Sequence, residues 1–233
     1  MNTYKSLQQQ AYEANMLLPE LRLVLFTFGN VSAADPQRGV FAIKPSGVPY
    51  ELLSVDKMVI VDFDGHVVEG SLRPSSDTPT HAVLYKHLEG IGGIAHTHST
   101  YATAWCQAQR SIPLYGTTHA DHTISDIPCA PPMNDLMIKG NYEYQTGIQI
   151  LNALSEHKLS HKQLEMMLIA NHAPFTWGKD AQKAVYNSAV LESIAKMALF
   201  TEQIRPNSAR MKDSLIHKHY ERKHGTEAYY GQS

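Results

Sequence analysis

Residues 92–100 read GGIAHTHST: two glycines, an apolar pair, then two histidines one residue apart. In extended chain, side chains two apart point to the same face. A strand here would therefore turn His96 and His98 toward one point, where both imidazoles could reach a single metal ion. Gly92 and Gly93 permit another segment to approach the backbone closely. Two histidines on a strand face can be a solvated pair, but Ile91, Ile94 and Ala95 around them argue for a buried strand. A second apolar run, MMLIANHAPFTWG (166–178), reads as another buried strand and carries His172. Catalytic zinc usually has three protein ligands and an open position, and His96, His98 and His172 supply that count.

Working outward, residues 3–18 have apolar positions at helical spacing and end before Pro19, which predicts an opening helix. RLVLFTFGNVSAAD (22–35) and GVFAIKPSGV (39–48) read as strands with a polar turn between them. KMVIVDFDGHVVEG (57–70) reads as a hairpin turning at Asp64-Gly65. DTPTHAVLYKHL (77–88) predicts a helix with Asp77 or Thr78 as N-cap and Pro79 in the first turn. Residues 179–203 give the longest helix, with Asp180 near its start and an apolar face through Val185, Leu191, Ile194 and Phe200. A short helix near Leu215 precedes the tail. The order predicts α/β class: residues 1–233 as a single domain, with a mostly antiparallel central sheet flanked by helices.

Composition bounds the function. At 233 residues, 43% apolar and 18% charged, the chain can bury a sizeable core. A formal charge of -2 offers no field for nucleic acid or an anionic membrane, and no apolar run approaches a membrane span. The polar, acidic first twenty residues do not resemble a secretory segment. Cys106 and Cys129 form neither a CxxC nor a disulfide framework. The expectation is a cytoplasmic protein that binds neither nucleic acid nor membrane. Its 13 histidines are numerous for this length, which adds weight to the metal reading.

Other residues suit a polar ligand. Ser75, Ser76 and Asp77 lie at the predicted helix N-terminus, where unpaired N–H groups and hydroxyls attract anions; plain N-capping would need only one of the three. Gly29 and Asn30 in FGNVSA, and Lys44, Ser46 and Gly47 in IKPSGV, form loops at the ends of adjacent predicted strands. Their donors suit a phosphate or carbonyl, though as turn residues they are ordinary. Neither loop is a nucleotide fingerprint. GTTHADH gathers Thr117, Thr118, His119, Asp121 and His122, a titratable cluster where a general acid or base could sit.

Taken together, GNVSA, KPSG, PSSDTPTH, GGIAHTHS, GTTHAD, NHAPFTWGKD and the tail KHGTEAYYGQ resemble the L-ribulose-5-phosphate 4-epimerases of the class II aldolase group, along nearly the whole chain. The resemblance implies a class II aldolase-like fold and one Zn2+, or another divalent transition ion, per subunit. His96, His98 and His172 would bind it, with Asp77 as a further ligand or close neighbour. Gly29, Asn30, Lys44, Ser46, Gly47, Ser75 and Ser76 would hold the sugar phosphate. Asp121 and Tyr230 would carry protons on the two faces of the substrate, with Thr117 and His219 nearby. It also implies a C4 homotetramer with active sites between subunits. The implied reaction is inversion at C4 of a ketopentose phosphate by retro-aldol cleavage and re-addition, which avoids removing a non-acidic hydrogen. Phe28 stands where Trp is usual, His122 where an aromatic residue is common, and Ala173 where Gly is common.

Two alternatives remain open at this stage. A class II aldolase acting on a deoxyketose 1-phosphate of the fuculose or rhamnulose type would share the fold, but that group carries Glu at the place of Asp77. A zinc-binding structural protein would close its site with four protein ligands.

Overall fold

A computed structural model of the protein describes residues 3–226, 228 and 229. In chain order the helices are α1 (Lys5–Glu20), α2 (Thr78–His87), α3 (Thr100–Gln107), α4 (Thr117–Ala120), α5 (Asp135–Lys139), α6 (Tyr142–Glu156), α7 (Ala181–Ile204) and α8 (Asp213–His224). The strands are β1 (Asn30–Asp35), β2 (Val40–Ile43), β3 (Val59–Asp62), β4 (Val67–Glu69), β5 (Gly93–His96), β6 (Cys129–Ala130), β7 (Met166–Ile169) and β8 (Phe175–Gly178). They form one sheet in the order β4-β3-β2-β1-β5-β8-β7-β6. Every pairing is antiparallel except β6 with β7. The α/β class and the mostly antiparallel sheet agree with the sequence.

The centre of the sheet is buried on both faces, as the alternation along β2 shows. Phe41 and Ile43 join a core with Tyr85, Leu154 and Trp177, while Val40 and Ala42 join one with Leu18, Ala14 and Val185. The second core lies under α1 and the start of α7; the first lies under α2, α3 and α6. Among the described residues, no helix is long and apolar enough to cross a membrane.

Several boundaries differ from expectation. α1 carries Pro19 and ends at Glu20. Proline removes one donor, and the last turn is still closed by Leu21 N to Leu17 O and Leu23 N to Leu18 O, with Arg22 left-handed at φ 57°. Residues 22–29 are not strand. Phe26 is also left-handed, and side chains take the carbonyls a ladder would use: Tyr50 donates to Phe28 O and Gly29 O, and Lys44 to Thr27 O. Leu25, Phe26 and Phe28 there face outward, with Phe26 81% exposed, while Leu23 and Val24 turn into the core. The 166–178 run is two strands, β7 and β8, with a turn between them at Asn171 (φ 60°). α7 buries Val185, Leu191 and Ile194 as expected, but Phe200 is exposed. α3, α5 and α6 lie where the sequence indicated no helix.

Gly92 and Gly93 do serve a close approach, and what approaches is the start of α7. A Cβ on Gly92 would strike the Lys179 carbonyl, and one on Gly93 would strike the backbone of Asp180 and Ala181. Backbone cannot swing aside as a flexible side chain can. Gly93→Ala is therefore expected to lower stability by about 3 kcal/mol or more, a fall in Tm of roughly 6–12 °C for a domain of this size. A thermal melt within 2 °C of wild type would contradict this packing.

Candidate active site

β5 and β8 are antiparallel neighbours, with His96 opposite Phe175. The C-terminal end of β5 therefore lies beside the N-terminal end of β8 and the turn that enters it. That juxtaposition gathers the three histidines. His96 is the last residue of β5, His98 lies two residues beyond it, and His172 lies in the β7–β8 turn. The expectation that both members of HTH sit on a strand is corrected: the strand stops at His96. Convergence holds nonetheless, with one ligand atom from each ring within 4.8 Å of the others.

Local contacts set the rings. His96 stacks on Phe175 at 4.1 Å between centroids, and its Nδ1 lies 3.0 Å from Pro174 O. A carbonyl only accepts, so Nδ1 carries the proton and Nε2 keeps a free lone pair. Burial, then the neighbouring His98, pushes His96 down to about 3; burial, then His96, pushes His172 to about 3. Burial also lowers His98. All three are thus neutral at pH 7, the form a metal needs. His172 Nδ1 is buried without a hydrogen-bond partner. Three neutral imidazoles at this spacing, one with an unused buried nitrogen, fit a divalent metal ion.

On the next strand, Asn30 lies opposite His96. Its Nδ2 donates to Asp77 Oδ2 at 2.6 Å, placing that carboxylate beside the cluster. Asp77 is the residue before α2, as expected, yet makes no side-chain cap; Asn30 takes its oxygen instead. Gly29 is left-handed (φ 74°), and a Cβ there would lie 2.9 Å from His96 O. α3 is held behind His98 by Glu192, whose carboxylate accepts from Tyr101 N and Ala102 N at 2.9 Å.

The other end of the cleft is cationic and rich in donors. Loops 44–47 and 73–76 are joined by Ser46 N to Arg73 O and Ser75 N to Lys44 O. Lys44 is 2% exposed, with its Nζ 5.0 Å from the centre of the Tyr50 ring. Burial lowers its pKa to about 8. The cleft encloses about 390 Å³ and is lined by Gly29, Asn30, Lys44, Ser46, Gly47, Ser75, Ser76, Asp77 and the three histidines. These sequence-predicted binding and metal residues thus come together. Tyr142 and Glu143, from the start of α6, also line it and escaped the sequence reading. Asn141, whose side chain caps that helix by accepting from Tyr144 N, was the available signal.

Thr117, Asp121 and His219 do not line this cleft. Thr117 belongs to α4, and Asp121 follows it against α8. Asp121 accepts from Arg222 Nε (3.1 Å) and Nη2 (2.8 Å), and its Oδ1 lies 3.0 Å from His219 Nδ1. Burial alone would raise its pKa, but the bonds from Arg222 and His219 and the Lys223 charge outweigh that and hold it below the usual carboxylate range. Tyr230 lies outside the described residues.

Residues 9–199 match the family described as Class II Aldolase and Adducin N-terminal domain. The chain belongs to the class II aldolase family. It is 51% identical over 228 residues to L-ribulose-5-phosphate 4-epimerase UlaF of Salmonella paratyphi C, covering 98% of this chain and 99% of that one. The corresponding protein of Salmonella choleraesuis matches equally. Among solved structures, an L-fuculose 1-phosphate aldolase superposes with a TM-score of 0.77 at 22% identity, covering 93% of this chain and 95% of that one. YgbL of Klebsiella pneumoniae, a putative aldolase/epimerase/decarboxylase, gives 0.73 at 22% identity, covering 94% and 99%. At that identity the two structures speak for the fold alone.

Proposed function

We propose that this protein is a metal-dependent epimerase that interconverts L-ribulose 5-phosphate and D-xylulose 5-phosphate by cleaving and re-forming the C3–C4 bond. The observation that carries this reading is one cleft with a three-imidazole cluster at one end and Lys44 with Ser46, Ser75 and Ser76 at the other. That spacing of functions suits a short sugar with a terminal phosphate, and the half-identical relatives bear the epimerase name. His96, His98 and His172 would hold Zn2+ or another divalent transition ion, one per subunit, with Asp77 at its margin. When bound, that ion supplies Lewis acidity for the charge that develops as the bond breaks.

The chain's own groups do the rest. Lys44, Ser46, Ser75 and Ser76 hold the phosphate, with Gly29 and Gly47 letting the loop backbone come near and Asn30 fixing the loop to Asp77. A proton leaves the C4 hydroxyl as the bond breaks, and the resulting aldehyde turns over. After re-addition, a proton returns to the C4 oxygen from the other face. Asp121 and Tyr230 are the two proton carriers, with Thr117 and His219 beside Asp121. Because Asp121, Thr117 and His219 lie off the cleft of their own subunit, we assign them to the site of a neighbouring copy in a homotetramer. The buried, unpaired Cys106 and half-buried Cys129 suit a cytoplasmic protein.

Metal-loaded protein incubated with L-ribulose 5-phosphate is expected to yield D-xylulose 5-phosphate at turnover rates of at least about 1 s⁻¹. Accumulation of free glycolaldehyde phosphate in its place would make the protein an aldolase. Lys44 gives the reaction a pH signature. Below pH 8 its ammonium pairs with phosphate; above pH 8 it is neutral and that pairing is lost. kcat/KM should therefore fall up to about tenfold per pH unit above 8, through KM. Lys44→Met should raise KM and abolish that alkaline limb. A limb that survives unchanged in Lys44→Met belongs to another group.

A further inference from the structure

One wall of the cleft, residues 27–30, is held by a side chain that does not line it. Lys44 stands beside this wall and lines the cleft with it. Its own residues anchor it poorly. Leu25, Phe26 and Phe28 are exposed, Phe26 and Gly29 are left-handed, and β1 begins only at Asn30. A bond from Phe28 N to Leu25 O closes the local turn. The tethers to the rest of the fold come from side chains outside the segment. The Tyr50 hydroxyl donates to Phe28 O at 2.9 Å and to Gly29 O at 3.1 Å, and Lys44 Nζ donates to Thr27 O at 3.3 Å.

The two tethers differ in what else is asked of them. The Lys44 bonds, 3.3 Å to Thr27 O and 3.5 Å to Pro45 O, are long for an ammonium donor. Burial lowers its pKa with no carboxylate to offset the loss. An anion entering the cleft would therefore draw Nζ away from Thr27 O. Tyr50 faces no such competition. Burial raises its pKa, so the hydroxyl keeps its proton, and a carbonyl can only accept it. Tyr50 is 3% exposed, opens the short turn Tyr50–Leu52, and packs in one core with Leu53 and Met58. That core gives the hydroxyl a fixed base. The ring has its own contact: Lys44 Nζ lies 5.0 Å from its centre, within cation–π range. One buried side chain thus touches both the loop and the cation.

We propose that Tyr50 is a positioning residue for the phosphate end of the cleft. Its hydroxyl fixes the turn at Phe28 and Gly29, and its ring holds the Lys44 ammonium. Lys44 can then leave Thr27 O for an anion without loosening the loop. Tyr50 acts through these groups and touches no substrate. The inference rests on reading the cleft as a phosphate site, and it does not need the epimerase reaction.

The probe is inorganic phosphate, titrated calorimetrically into metal-loaded protein, with bound metal and Tm measured on every sample. Lys44→Met marks the site and should weaken phosphate binding by about tenfold or more. Tyr50→Phe removes one oxygen and keeps the ring. It should raise the Kd for phosphate by about fivefold or more, with metal still stoichiometric. A Kd within about twofold of wild type, whatever the change in Tm, would make Tyr50 a core residue only and overturn the proposal. Tyr50→Leu removes the ring as well and should cost about a further threefold. In a Lys44→Met background that extra loss should vanish, because no cation is left to hold; an extra loss that persists there overturns the part assigned to the ring. Should Tyr50→Leu not fold, Tyr50→Phe alone decides. If wild type binds phosphate but proves inactive on L-ribulose 5-phosphate, the epimerase reading fails, and these titrations still decide the role of Tyr50.

Discussion

His172→Asn is expected to fold, to lose stoichiometric metal, and to fall in kcat by about 10³-fold or more. The size follows from what is removed. Charge stabilisation by a metal is worth several kcal/mol, and each 1.36 kcal/mol is tenfold in rate. Two imidazoles hold a divalent ion far less tightly than three, and the buried nitrogen of His172 has no other partner to explain its placement. Folding should survive because His172 lies in the turn between β7 and β8, outside both strands. Metal analysis, kcat and a thermal melt on the same sample check all three expectations. Stoichiometric metal with full turnover would remove His172 from the ligand set.

The second large effect is a rescue. His96→Asn and Asp121→Asn should each be nearly inactive alone, the first for want of metal and the second for want of a proton carrier. Unfolded together and reassembled in equal amounts, they should recover activity. If, as proposed, a site takes its cleft from one subunit and its Asp121 from the next, random mixing restores about one quarter of wild-type sites. The structure motivates this directly: Asp121 is bound to α8 by Arg222 and His219, and none of Thr117, Asp121 or His219 lines the cleft of its own chain. No recovery, with mixed oligomers verified by mass, would place the whole site within one subunit.

How much of this was legible in the sequence depended on how local each signal was. The β3–β4 hairpin and α2 announced themselves through Asp64-Gly65 and through Asp77 with Pro79, features a few residues wide. The run 22–29 did not, because Leu25, Phe26 and Phe28 lie on the surface although apolar, and carbonyls at Thr27 and Phe28 are taken by Lys44 and Tyr50. α6 was hidden by Gly147, a breaker in sequence terms. In the fold, Gly147 lets α6 lie against α2, where a Cβ would lie 2.8 Å from Val83. Missing α6 also meant missing Tyr142 and Glu143 in the cleft. For the site, residue types were legible and arrangement was not. The three histidines were identified by spacing on strands, yet two of them stand on loops and meet only because β5 and β8 pair. The environment of Asp121 depends on residues 98 and 101 positions away, which no local pattern reveals.

The bond from His96 to the Pro174 carbonyl has a wider consequence. It ties the end of β5 to the start of β8 through protein atoms alone, next to a ladder that already fixes both strands. The imidazoles are thus arranged by the scaffold, unlike those of a zinc finger, which are ordered by the ion itself. Chelation should therefore leave an intact apoprotein that reloads, and exchange of one cation for another needs no refolding. With folding removed from the selection, and imidazoles accepting several first-row cations, the three histidines would take whichever of those cations is supplied.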